Sequence, residues 1–219
     1  MKEEKTYYHR HLPHYQPNYA TYHIVFRLAG SLPANVVEEL KTKKEHSRKR
    51  VDKIDEGIKE LQSSSNGWSY FEKYEEFINR ASTGPKWLNQ LEVANVVKDA
   101  IHYRDKNEYD LFAYCIMTNH VHMIIELISS DDNNGRDGVS TYMVTKIVGS
   151  LKKHTALVAN KILKRSGAFW QHESYDHVIR NGEELEKTIW YILNNPVKAG
   201  FVSEWNQWQW SYVKAELIL

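Results

Sequence analysis

Residues 109–127, YDLFAYCIMTNHVHMIIEL, hold two strand-length apolar runs separated only by Thr118 and Asn119. β-Branched and aromatic residues dominate both runs, and so short a polar break leaves room only for a tight reversal. The segment therefore predicts a hairpin of strands at about Tyr109–Met117 and His120–Leu127. Successive side chains of an extended chain point to opposite faces. Val121, Met123 and Ile125 thus fall on one side, and His120, His122, Ile124 and Glu126 on the other. Two imidazoles stand side by side on a sheet face. Spacing alone leaves two meanings open, a divalent-metal pair or ordinary polar residues on a wet face, because short H-x-H matches arise easily in a chain with 11 histidines.

The segments around the hairpin decide what kind of sheet it joins. ATYHIVFRLAG at 20–30 has the composition of a strand and ends in Gly30. A helix is expected from near Pro33, with a charged arm extending to about Leu61, where SSSNG ends it. Phe71, Tyr74 and Phe77 resume helical spacing until STGP at 82–85 breaks it. A helix from about Asn89 to Tyr103 then turns Val93, Val96, Val97 and Ile101 inward. Beyond the hairpin come a polar loop, SSDDNNGRDG, a basic helix at about Ser140–Leu163, a strand at 169–180 and a helix at 181–195 that stops before Pro196. The order β, helices, β, β, α, β, α fits an α+β fold. It is a ferredoxin-like or RRM-like antiparallel sheet with packed helices and a helical insertion after strand one. One domain over 1–219 is expected, with a charged helical insertion at about 41–80.

Charge narrows the partners. The net formal charge is +1, but Lys146, Lys152, Lys153, Lys161, Lys164 and Arg165 fall in a stretch from Val139 that has no Asp or Glu. KTKKEHSRKRVDK at 41–53 adds seven basic residues against two acidic ones. Such segregation can give a positive surface on a nearly neutral molecule, or simply two solvated helix faces. No apolar run approaches the roughly 18 residues of a membrane span. The N-terminal stretch has no apolar signal region, and the single Cys115 cannot form an internal disulfide, so a cytoplasmic setting without membrane contact is expected.

In the last major helix, at about 100° per residue, Leu185, Ile189 and Ile192 define the core stripe, and Tyr191 and Asn195 lie one turn apart on its flank. By periodicity Tyr191 can be an aromatic at the core margin and Asn195 a helix terminator. A functional role requires this flank to lie over His120 and His122.

Several motifs carry a resemblance to a known family: RHLPHYQPNYATYHIVFRL at 10–28, TGPKWL at 83–88, AYCIMTNHVHMII at 113–125, SLKKHTA at 150–156, FWQHESYDHVIRNGEELEKTIWYILNNPVKAGFV at 169–202 and WQWS at 208–211. In this order they resemble the REP-associated tyrosine transposases, a branch of the single-tyrosine HUH transposases. The resemblance implies that His120 and His122 are metal ligands, that Asn195 fills the third ligand position and that Tyr191 is the nucleophile. The pair of histidines would then be a ligand set and not a packing element.

The implied cofactor is Mg²⁺ or Mn²⁺, and the implied partner is single-stranded or hairpin DNA from repeats or transposon ends. The implied reaction is cleavage and rejoining through a 5′-phosphotyrosine. Arg10, His11 and His14 in RHLPH become candidates for recognising the hairpin or its foot, and Lys152 and Lys153 for backbone contacts. A non-catalytic nucleic-acid-binding module of the same fold, or an HUH replication initiator or relaxase, would share much of this pattern. A histidine-triad hydrolase would not, because it wants a histidine where Ile124 stands. Monomer and homodimer both remain open.

Overall fold

The hairpin forms where the alternation places it, with β4 at Tyr109–Ile116 and β5 at His120–Leu127. The computed structural model describes residues 7–9, 13–15, 20–32, 78, 84–128 and 143–218, with backbone only at 7–9 and 13–15. Strand β3, Thr21–Arg27, pairs antiparallel with β5 on one side and with β6, Tyr175–Ile179, on the other. With β7, Ser211–Val213, added against β4, the sheet order is β6-β3-β5-β4-β7. Its first four positions are the ferredoxin-like order, since the two crossovers place the hairpin's second strand and strand one at the centre.

Helix α1, Leu91–Arg104, and helix α2, Met143–Ile162, pack on one face. There Tyr22, Ile24, Phe26, Tyr114, Val121, Met123 and Ile125 of the sheet meet Val93, Val97 and Ile101 of α1 and Val144, Ile147, Val148 and Leu151 of α2. Helix α3, Gly182–Leu193, contributes Ile189, Ile192 and Leu193 to a second cluster with Ala113, Cys115, Met117, Ile124 and Ile179, which point to the opposite face. The sheet is therefore covered on both sides. Each fully buried aliphatic side chain is worth about 1.5–3 kcal/mol relative to exposure, so a polar residue inside either layer forgoes a contribution of that size.

Three features differ from the sequence expectation or were absent from it. The strand expected over 169–180 is regular only from Tyr175. Before it, Trp170 bridges Leu28, and the carbonyls of Gln171 and His172 are taken up by the Lys152 ammonium instead of a neighbouring strand. Strands β1, Tyr7–His9, and β2, Pro13–Tyr15, form a short antiparallel ribbon, with β2 beside β6. The terminal β7 also went unforeseen.

The chain divides into two compact units, residues 1–29 with 86–219, and residues 30–85. The helices expected between about Pro33 and Phe77, the proposed insertion at 41–80 apart from Ile78, and the loop at 129–138 lie outside the described residues. In the second unit Gly84 adopts φ +96°, and a Cβ there would sit 2.6 Å from the Gly30 carbonyl oxygen. This contact explains why STGP breaks the helical pattern with a glycine. No helix among the described residues is long and apolar enough to cross a membrane.

Candidate active site

The face covered by α3 carries the histidines. In antiparallel pairing, residues directly opposite share a face. Arg27, Val25 and His23 of β3 lie opposite His120, His122 and Ile124 of β5, while Tyr175 and His177 of β6 lie opposite Val25 and His23. His23, His120 and His122 are all buried. The His120 and His122 rings are 4.8 Å apart and nearly perpendicular, whereas His23 lies edge to edge with His122 in a nearly parallel plane, its Nε2 3.2 Å from His122 Nδ1. Asn119, in the hairpin turn, accepts a hydrogen bond through Oδ1 from His120 Nδ1 at 2.6 Å. That bond keeps the proton on Nδ1 and makes Nε2 the basic nitrogen of His120. Burial pushes the His122 pKa down to about 3, so this imidazole is neutral at physiological pH, the form that can ligate a metal.

Helix α3 brings the remaining residues to this face. Asn181 caps its first turn by accepting from the Glu184 amide, and Glu183 and Glu184 complement the helix dipole. Glu184 also pairs with His177 at 2.7 Å, tying the start of the helix to β6. The helix ends at Leu193, and Pro196 falls in the first turn of a separate short helix, α4, Asn195–Lys198. Asn195 is buried, and its Nδ2 donates to His122 Nε2 at 3.1 Å. Its Oδ1 is equally buried and has no hydrogen-bond partner. Two imidazoles and a partnerless amide oxygen are the donor set that a hard-to-borderline divalent cation takes, so these residues fit such an ion. Among the described residues no group of three His, Cys, Asp or Glu side chains could hold a metal; the third donor here is an amide.

Tyr191 is half-buried against the same apolar cluster, and the Lys198 ammonium lies 4.4 Å from its ring centroid. The structure therefore brings His120, His122 and Asn195 to one buried locus and Tyr191 to the helix covering it. The two histidines are packing elements as well, contrary to the sequence expectation, because sheet and helix enclose both.

The DNA-contact candidates are distributed differently. Arg10 and His11 lie outside the described residues, and His14 falls on β2. Lys153 is exposed on α2, but Lys152 turns inward, and its Nζ donates to the Gln171 and His172 carbonyls and to Ser174 Oγ at 2.6–3.1 Å. Its three N–H donors are thus used internally. A cavity of about 400 Å³ lined by Lys152, Trp170 and Ile24 opens beside it, on the α2 side and not over the histidines.

Burial lowers the Lys152 pKa from 10.5 to about 8. A depressed lysine pKa means that the unfolded chain holds a proton that the native state gives up between these values. The destabilisation is complete below pH 8 and relieved as pH rises toward 10.5. Chemical denaturation across this window should show a rising contribution of at most about 3 kcal/mol, since one pKa unit is about 1.36 kcal/mol. Lys152→Met should remove it. A slope unchanged in Lys152→Met would show that the ammonium is not buried as described.

His23 and Asn119 escaped sequence reading. The parity of YHIVF puts His23 on the face of Val25 and Arg27, but only the β3–β5 register shows that this face is the histidine face.

No family model matches the chain. A Haemophilus influenzae protein named "Putative REP-associated tyrosine transposase" is 31% identical over 114 residues, which make up 50% of this chain and 64% of that protein. A solved structure described as the REP-associated tyrosine transposase bound to a REP hairpin covers 96% of this chain and 82% of its own, with 16% identity and a TM-score of 0.50. The Haemophilus relative bears out the resemblance over half of the chain, and the solved structure bears out the fold. The chain spans less than two thirds of the Haemophilus relative, and the likeness to the REP-associated tyrosine transposase structure is one of fold.

Proposed function

We propose that the protein is a tyrosine transposase that cleaves and rejoins single-stranded DNA at hairpin-forming repeat or transposon-end sequences, with Tyr191 as nucleophile. The observation carrying this reading is the contact of Asn195 with His122 Nε2, with its partnerless amide oxygen beside the H-x-H pair. His120, His122 and Asn195 would hold Mg²⁺ or Mn²⁺. Bound there, the ion would supply Lewis-acid polarisation and charge neutralisation at the scissile phosphate.

The chain's own groups do the rest. Tyr191 attacks phosphorus, forming a phosphotyrosine with the 5′-phosphate of the strand 3′ of the cut and releasing a 3′-OH on the strand 5′ of it, and the reverse attack by a 3′-OH rejoins the strand without ATP. The phenol must lose its proton on attack, and the Lys198 ammonium lies 4.4 Å from the centroid of its ring. The burial of His120 and His122 keeps water from competing at the ligand nitrogens. A hairpin partner is supported by the relative whose structure was described with one. The setting proposed is the cytoplasm.

The test is incubation with 5′-labelled or 3′-labelled single-stranded hairpin DNA and Mn²⁺, followed by a denaturing gel. A protein–DNA adduct that carries only the strand 3′ of the cut is expected. Tight binding with no adduct would replace the reading with a non-catalytic binding module.

Lys153, exposed on α2 beside the likewise exposed Lys146 and Lys161, is the residue proposed to meet a backbone phosphate. Lys153→Ala should reduce the slope of log K against log salt by about 0.7, the value expected for one lost single-strand phosphate contact. Lys152→Met should leave the slope unchanged because its ammonium is turned inward. The opposite pattern would move the DNA track away from the exposed side of α2.

A further inference from the structure

We infer that His23 is a positioning residue that fixes which ring nitrogen of His122 faces Asn195. It accepts the His122 Nδ1 proton on its own Nε2 and so keeps His122 Nε2 basic; the inference rests on the metal site proposed above. The atoms leave little freedom. Asn195 Nδ2 is a donor and lies 3.1 Å from His122 Nε2, so that nitrogen carries a lone pair. A neutral imidazole has one proton, which then sits on Nδ1. His23 Nε2 lies 3.2 Å from Nδ1 and is the acceptor in this pair.

His23 is not a member of the donor set itself. Its Nε2 addresses Nδ1 of His122, while Asn195 meets the other nitrogen, Nε2. Its own position is determined by the sheet, since β3 pairs with β5 on one side and β6 on the other and the side chain is fully buried. The two rings lie edge to edge and nearly parallel, 17° between planes with centroids 5.5 Å apart, so rotating His122 about its Cβ–Cγ bond would break the hydrogen bond.

The arrangement repeats a device seen one residue pair away. Asn119 Oδ1 holds the Nδ1 proton of His120, as His23 Nε2 holds that of His122. Both imidazoles then present Nε2 as the basic nitrogen. The two supports come from different elements, the hairpin turn and the neighbouring central strand. A sheet interior that needed only filling would favour an aliphatic residue at position 23, worth about 1.5–3 kcal/mol in burial. A metal-binding histidine commonly donates its other ring N–H to a fixed acceptor, and at His122 the acceptor is the buried His23 imidazole.

The test uses the full chain. In the metal-free protein, long-range ¹H–¹⁵N spectra of the histidine rings should show His122 as the Nδ1–H tautomer. His23→Phe keeps a ring of similar size but offers no acceptor, so it should shift His122 toward Nε2–H. It should also weaken Mn²⁺ binding, measured by calorimetry, by 10- to 100-fold. His23→Gln, whose amide oxygen can accept the same proton, should restore the tautomer and recover affinity to within a few-fold of wild type.

An Nε2–H tautomer of His122 in the wild-type protein would overturn the inference. So would a folded His23→Phe variant that binds Mn²⁺ as tightly as wild type. If His23→Phe fails to fold, the wild-type spectrum and the His23→Gln variant decide. If the wild-type protein binds no Mn²⁺, the proposed metal site fails, while the tautomer spectra still judge the role of His23.

Discussion

Tyr191→Phe should abolish the covalent protein–DNA adduct while leaving hairpin binding intact. The substitution removes one oxygen and keeps the ring, so the packing against the α3 cluster and the stacking of the Lys198 ammonium on the ring both survive. Loss of one hydroxyl at a half-buried position should change stability by about 1 kcal/mol, the net worth of an ordinary hydrogen bond. Catalysis has no such reserve, because phenylalanine has no atom able to form the phosphodiester. Adduct formation should therefore fall to background on a denaturing gel, with an unchanged Kd by mobility shift. Tyr175→Phe is the control. Tyr175 lies on β6 opposite Val25 and is the only other tyrosine between residues 169 and 202. An adduct that survives Tyr191→Phe but disappears with Tyr175→Phe would place the nucleophile on the sheet. Survival in both would end the tyrosine mechanism.

The sequence exposed the histidine pair and the helix above it for a simple physical reason. Both are periodic signals, a two-residue repeat in β5 and a 3.6-residue repeat in α3, and periodicity survives in one dimension. The ferredoxin-like fold class followed from the element order, because β, helices, β, β, α, β, α fits few antiparallel α+β arrangements. Pairing across strands is different. That His23 stands against His122, or that Arg27 lies opposite His120, depends on a register between strands nearly 100 residues apart.

Lys152 shows the other blind spot. In SLKKHTA two adjacent lysines look alike, yet one turns toward the carbonyls of 171–172 and the other toward solvent. A helix presents adjacent positions about 100° apart, so the apolar stripe of Val144, Val148, Leu151 and Thr155 determines which lysine falls at its edge. The irregular stretch before β6 was invisible for a related reason. Its composition is strand-like, and only the Lys152 contact explains why its carbonyls leave the sheet.

Removing His122 should cost activity and stability together, and two substitutions separate the effects. His122→Ala deletes a fully buried ring, leaving a cavity and depriving both His23 and Asn195 of the hydrogen bonds they make to it. A cavity and unpaired buried polar atoms together should cost about 2–4 kcal/mol, read from urea denaturation midpoints. His122→Gln fills more of the space and offers an amide to both neighbours, so the cost should be under about 1.5 kcal/mol. Cleavage should nevertheless be lost in both, because neither variant supplies the imidazole nitrogen beside Asn195.

The acid limb gives an independent check in metal-free protein. The folded pKa of His122, about 3, lies below the unfolded value of 6.5, so the unfolded chain takes up a proton first as pH falls. The stability contributed by this group is complete above pH 6.5 and is lost as pH falls toward 3, at a slope approaching about 1.4 kcal/mol per pH unit. His122→Gln should flatten that limb by the same amount. A glutamine variant that cleaves at the wild-type rate would move the chemistry off this face. One that keeps the full acid slope would show that the ring is not held neutral by burial.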